Sequence, residues 1–208
     1  AAPACAEEPT PPKVLIKTPQ SISSPEVNAA MNAIYKARND DDRKAAIDGV
    51  QKLVDAGNMQ AAFRLGRYLH LETRRTDYAR AMQLYQLAAS KGDAWAINNI
   101  GVLYEDGQGV SQDFDKAITL FKQAAEKQHF HGFTNLARLS MLGRGVQRDP
   151  ARAEEWLEKG CDLKLPEVCR EGFDVYEYGR YTAPVDKTKS FGFAIKAAAL
   201  GDPDATVR

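Results

Sequence analysis

Apolar residues recur at helical spacing along most of the chain. Ala96, Ile97, Ile100, Leu103 and Tyr104 fall on one helical face, and Ala117, Leu120, Phe121, Ala124 and Ala125 on the face of the next helix. The i, i+3, i+4, i+7 spacing predicts amphipathic α-helices, and no convincing strand-like alternation interrupts them. Polar punctuation sits between the helices. Gly107 and Gly109 end the first helix and turn the chain, because glycine tolerates positive φ. Asp113, Asp149 and Asp186 stand where second helices begin; an aspartate there accepts hydrogen bonds from the free first-turn amides. Pro150 follows at a first-turn position, where its missing N–H costs nothing. Gly101 and Ala137 occupy positions where a bulky side chain would hold neighbouring helices apart.

The pattern repeats about every 36 residues. Gly109 and Gly145, Asp113 and Asp149, and Ala117 and Ala153 are each 36 apart. A period of this length marks a solenoid. Three clear copies span 58–93, 94–129 and 130–164. A degenerate copy at 25–57, with helices expected near 25–37 and 43–56, precedes them, and a divergent copy at 165–205 follows. Residues 1–24 are rich in Pro, Ala, Glu, Thr and Ser and read as a flexible or extended lead-in in which only Val14-Leu15-Ile16 is positioned to dock. The predicted fold is an all-α solenoid of helix-turn-helix repeats. Stacked helix pairs form extended surfaces that usually bind other proteins.

The order Leu65-Gly66, Tyr104, Gly107-Gln108-Gly109-Val110, Asp113, Ala117 and Ala124-Ala125 resembles the Sel-one-like repeat, a relative of the tetratricopeptide repeat. The resemblance covers roughly 58–205 and, more weakly, 25–57. It implies a right-handed superhelix that scaffolds protein contacts without catalysis of its own. Two corners depart from the pattern. Glu72-Thr73-Arg74-Arg75 replaces the Gly-x-Gly-Val turn in the first clear copy, and Gly179-Arg180-Tyr181-Thr182-Ala183-Pro184 replaces it in the last. Both are expected to turn differently.

Cys161 and Cys169 flank the junction between two copies, and a helical hairpin brings such positions together. Two readings stand: a disulfide, or two buried thiols in slots where other copies carry alanine. The Cys-x7-Cys spacing resembles the cysteine-rich secreted branch of the same family, which implies the disulfide and an oxidising compartment such as a bacterial periplasm. Ala1-Ala2-Pro3-Ala4 resembles the small-residue flank of a signal cleavage site, the alternative being an arbitrary boundary. Cys5 reads as a free thiol or, with a poor lipobox before it, as a lipid-anchored cysteine.

Charge narrows the partners. The 28 basic and 28 acidic residues cancel, and no basic stripe points to nucleic acid. No apolar run approaches the roughly 20 residues that span a bilayer. His129 and His131 are two apart on a helix, which makes a poor chelate; an ordinary solvent-facing or hydrogen-bonded role is expected, with no metal or cofactor. Asp40-Asp41-Asp42 lacks the spaced ligands of a calcium loop and is expected to cap a helix beginning near Arg43.

First helices in such repeats usually line the concave side. The binding candidates there are Arg64, Arg67, Asn98, Asn99, Glu105, His131, Asn135 and Arg138. Asn98 reads equally well as a link between copies. Trp95, Tyr178 and Tyr181 sit off the core pattern and are of the types enriched at binding hot spots. The leading expectation is a non-catalytic exported protein-binding scaffold. The family resemblance adds one specific form, an immunity protein against a lipase-type toxin delivered by type VI secretion. The alternatives are a periplasmic assembly scaffold or host-facing factor, and a weak cell-wall or β-lactam hydrolase, for which no nucleophile stands out.

Overall fold

The computed structural model describes residues 24–71 and 77–202. The lead-in through residue 23, with Cys5 and Val14-Leu15-Ile16, and the corner at 72–76 lie outside the described residues. Among the described residues, ten α-helices follow in order: α1 (Pro25–Lys36), α2 (Asp40–Asp55), α3 (Met59–Leu71), α4 (Tyr78–Ala89), α5 (Ala94–Asp106), α6 (Phe114–Glu126), α7 (Phe130–Leu142), α8 (Pro150–Asp162), α9 (Pro166–Tyr178) and α10 (Lys187–Ala199). Each packs against the next, and α7 also reaches α9, the next first helix. The chain is an all-α solenoid, with no strand among the described residues.

Two kinds of corner recur. Within a pair, the amide at the start of the second helix reaches back to the first: Asp113 N to Tyr104 O at 2.9 Å, Asp149 N to Ser140 O at 2.8 Å, and Asp186 N to Tyr176 O at 2.9 Å. The same aspartates then turn their carboxylates onto first-turn amides of α6, α8 and α10. Asp77 does the same for α4, although the residues before it lack the glycine turn. Between pairs, the chain closes with His129 N on Ala124 O at 3.0 Å and Leu165 N on Gly160 O at 3.3 Å. Gly107 and Gly143 carry φ of 67° and 70° at the ends of α5 and α7, the left-handed conformation that favours glycine.

The helix before α3 begins earlier than its sequence indicates. α2 starts at Asp40, not near Arg43, because Asn39 accepts the amide of Asp42 at 2.7 Å. Asp40, Asp41 and Asp42 fill the first turn, where the positive end of the helix dipole favours carboxylates. Ser24, counted with the lead-in, belongs to α1 as its cap.

The core runs as two apolar clusters along the stack. One joins α1 to α5 around Met31, Leu65, Tyr85 and Leu103; the other joins α6 to α10 around Phe121, Phe133, Leu157 and Phe193. Gly101 shows what close stacking demands. A Cβ there would lie 2.7 Å from the Phe121 ring. Cys161 and Cys169 are both buried in the second cluster and joined as a disulfide, with their Cα atoms 5.0 Å apart. It ties α8 to α9.

Candidate protein-binding surface

The polar residues of the first helices mostly face one another across the stack. Asn135 donates to Asn98 at 3.0 Å, from α7 to α5. Arg138 grips Glu105 with both ends of its guanidinium, at 2.8 and 2.6 Å, and Arg144 stands 3.5 Å from the same carboxylate. The Glu105 side chain is only 2% exposed. Arg64 reaches Asn28 of α1, and Arg170 of α9 pairs with Asp202. The ladder continues into the divergent corner, where Arg180 bridges Glu171 and Asp174 and the Tyr181 hydroxyl donates to Glu171 at 2.8 Å. Burial pushes the Glu171 carboxyl up, against the opposing pull of Arg180.

These placements revise the surface read from sequence. Asn98, Asn99, Glu105 and His131 are buried, so they are not an exposed binding face. Asn98 is a link between copies. Arg64, Arg67, Asn135 and Arg138 are half-buried, and Arg138 is a structural cation. Tyr181 is half-buried in the corner contact, while Tyr178 is exposed and meets Phe173 edge-on.

Of the two roles expected for the histidines, hydrogen-bonded or solvent-facing, His129 takes the first. His129 and His131 are 6% and 3% exposed, not solvent-facing. Trp95 lies 4.3 Å from His129 and 5.7 Å from His131, ring centre to ring centre, with Phe130 against both histidines. His129 Nδ1 accepts the amide of His131 at 3.4 Å and caps α7. Burial holds both rings neutral, at about 4 for His129 and about 3 for His131. Trp95 is therefore a joint between copies. Among the described residues, no group of three or more His, Cys, Asp or Glu side chains is placed to hold a metal. No described helix is long and apolar enough to cross a membrane.

Two open grooves lie on the second helices. A groove of about 450 Å³ runs between α6 and α8. Leu136, Leu139 and Ser140 of α7 floor it, and Ile118, Lys122, Arg152 and Trp156 form its walls. A second groove, of about 650 Å³, lies between α4 and α6 over Ile100 and Tyr104 of α5, with Gln86, Lys116 and Leu120 at its sides. No candidate residue named from the sequence lines either groove.

The solved structures resemble the same architecture. The chain is similar to a Sel1 repeat protein from Oxalobacter formigenes at 24% identity, covering 84% of this chain and 71% of that one with a TM-score of 0.62. It is similar to c5321, a protective antigen present in uropathogenic Escherichia coli strains displaying an SLR fold, at 26% identity and a TM-score of 0.62. That match covers 85% of this chain and 38% of c5321, so the chain spans well under half the length of that relative. A sel1 repeat protein from Klebsiella pneumoniae is 18% identical over 86% of this chain and 88% of its own, with a TM-score of 0.54. No curated protein matches the sequence. The Sel1 repeat model matches residues 60–93, 96–129, 134–165 and 172–202. With well over half its length accounted for by those four repeats, the chain belongs to the Sel1 repeat family.

Proposed function

We propose that this protein is a non-catalytic, exported protein-binding scaffold whose specific task is to neutralise a secreted toxin, in the manner of an immunity protein. The observation that carries the binding reading is a solenoid already locked along its first helices, with recurring open grooves on its second helices. A surface held rigid before binding loses little freedom when a partner docks. Helix-pair solenoids use extended surfaces in this way. The Cys161–Cys169 disulfide supports an oxidising compartment such as the periplasm. The toxin-neutralising task rests on the family resemblance and on the fit of a rigid surface to tight one-to-one binding.

The test is affinity capture on the disulfide-intact protein from the native envelope and secreted fractions, followed by size-exclusion of the reconstituted pair. One stoichiometric toxin is the expected result. A set of envelope-assembly proteins would replace the toxin task with a scaffolding one. Capture of no partner would sink the protein-binding reading. Turnover of a chromogenic β-lactam would sink the non-catalytic part.

A further inference from the structure

The two grooves are one feature repeated. Moving back 36 residues carries Lys122, Leu136, Ser140, Asp149, Arg152 and Trp156 onto Gln86, Ile100, Tyr104, Asp113, Lys116 and Leu120. Each socket lies between consecutive second helices, floored by the first helix between them.

The neighbouring positions on either side are each crossed by a side-chain strap. The residue three places after the capping aspartate of α4, α6, α8 and α10 is a cation: Arg80, Lys116, Arg152 and Lys189. Arg80 of α4 crosses to Gln51 of α2 at 2.9 Å. Lys189 of α10 crosses to Glu154 of α8 at 2.5 Å and lies over the Tyr176 ring, which stacks on Phe193. In the two central copies the crossing is absent among the described interactions. Lys116 turns back to its own cap, Asp113, at 3.1 Å and over Tyr104. Arg152 and Lys122 make no ion pair among the described residues.

We propose that these two central sockets form a short track for an extended acidic–apolar peptide segment of a partner protein. This inference rests on the protein-binding reading and gives it a surface. The α6–α8 socket sets an apolar floor and the Trp156 ring beside two unpaired cations, while its one carboxylate, Asp149, is engaged in capping. That chemistry takes an apolar side chain next to a carboxylate. The α4–α6 socket has the opposite balance, with Asp113 and Asp115 against Lys116, and takes an apolar side chain without an acid beside it. The occupant crosses α6 between the two sockets, and an extended chain advances about 3.3 Å per residue. The two apolar residues therefore fall several positions apart along the segment.

The test selects random linear dodecapeptides, displayed on phage, against the disulfide-intact full chain. Synthetic copies of the enriched peptides are then measured by fluorescence anisotropy on the original protein and on a Lys122→Glu, Arg152→Glu variant. Both positions are exposed, and an unchanged melting temperature verifies the fold. The expected peptides pair an acid with an apolar residue, carry a second apolar residue further along, and bind the variant at least tenfold more weakly. Failure to enrich any peptide, or equal binding to both proteins, overturns the track. The partner captured by the unaltered chain separates the two readings. If that partner also binds the variant undiminished, the track is wrong while the protein-binding reading stands.

Discussion

Arg138 shows how a side chain's role depends on what lies one repeat away. On its own helix it resembles any surface arginine. In the stack it is the counter-charge of Glu105, whose carboxylate has almost no contact with water. Arg138→Glu puts a second carboxylate against a buried one and should cost about 3–5 kcal/mol, read as a lower urea midpoint; an unchanged midpoint would contradict this role. His129 and His131 carry a second prediction. Their folded values, about 4 and about 3, lie below the ordinary histidine value of 6.5. The unfolded chain thus binds protons first. Stability is complete above about pH 6.5 and falls as pH drops from there toward 4 and then 3, by up to about 1.4 kcal/mol per histidine per pH unit. His129→Asn with His131→Phe should flatten that slope in urea titrations across pH 4 to 6.5. An equally steep slope in the variant would place the acid sensitivity elsewhere. None of this was legible in Gln128-His129-Phe130-His131, because the covering ring, Trp95, comes from the preceding copy.

At the scale of elements, most of the fold was legible. Asp113, Asp149 and Asp186 marked helix starts because a carboxylate cap is a local device, settled by three or four residues. The start of α2 was misplaced because Asn39, not the aspartate run, is the cap. The divergent corner does turn differently. Tyr181 and Thr182 take φ of 56° and 61°, a conformation side chains adopt rarely. The Tyr181–Glu171 hydrogen bond and the Arg180 ion pairs hold it there. The α8–α9 corner carries the third prediction. Cys161 and Cys169 should resist a thiol reagent in denaturant without reductant, and both should label after reduction. Cys161→Ser with Cys169→Ser should lose about 2–3 kcal/mol, the chain-entropy figure for so short a loop. Labelling at Cys161 and Cys169 in the unreduced protein would refute the disulfide.

For the whole molecule, the 36-residue period predicted a stack of helix pairs, and that stack formed. It could not show which surface stays open. Each groove is built from three elements of two copies, and whether a socket is strapped depends on pairs such as Arg80 with Gln51 or Lys189 with Glu154, about 29 to 35 residues apart. The most direct measurement of protein binding through the central second helices is site-specific photo-crosslinking in the native host. A photoreactive phenylalanine analogue replaces Thr119, an exposed residue of the α4–α6 socket, or Phe191, exposed on α10. Position 119 should give one discrete covalent adduct, lost when Lys122→Glu and Arg152→Glu are added, and position 191 none. An adduct from position 191 alone would contradict the surface, and no adduct from either position would contradict the claim that this solenoid works by holding a protein on its second helices.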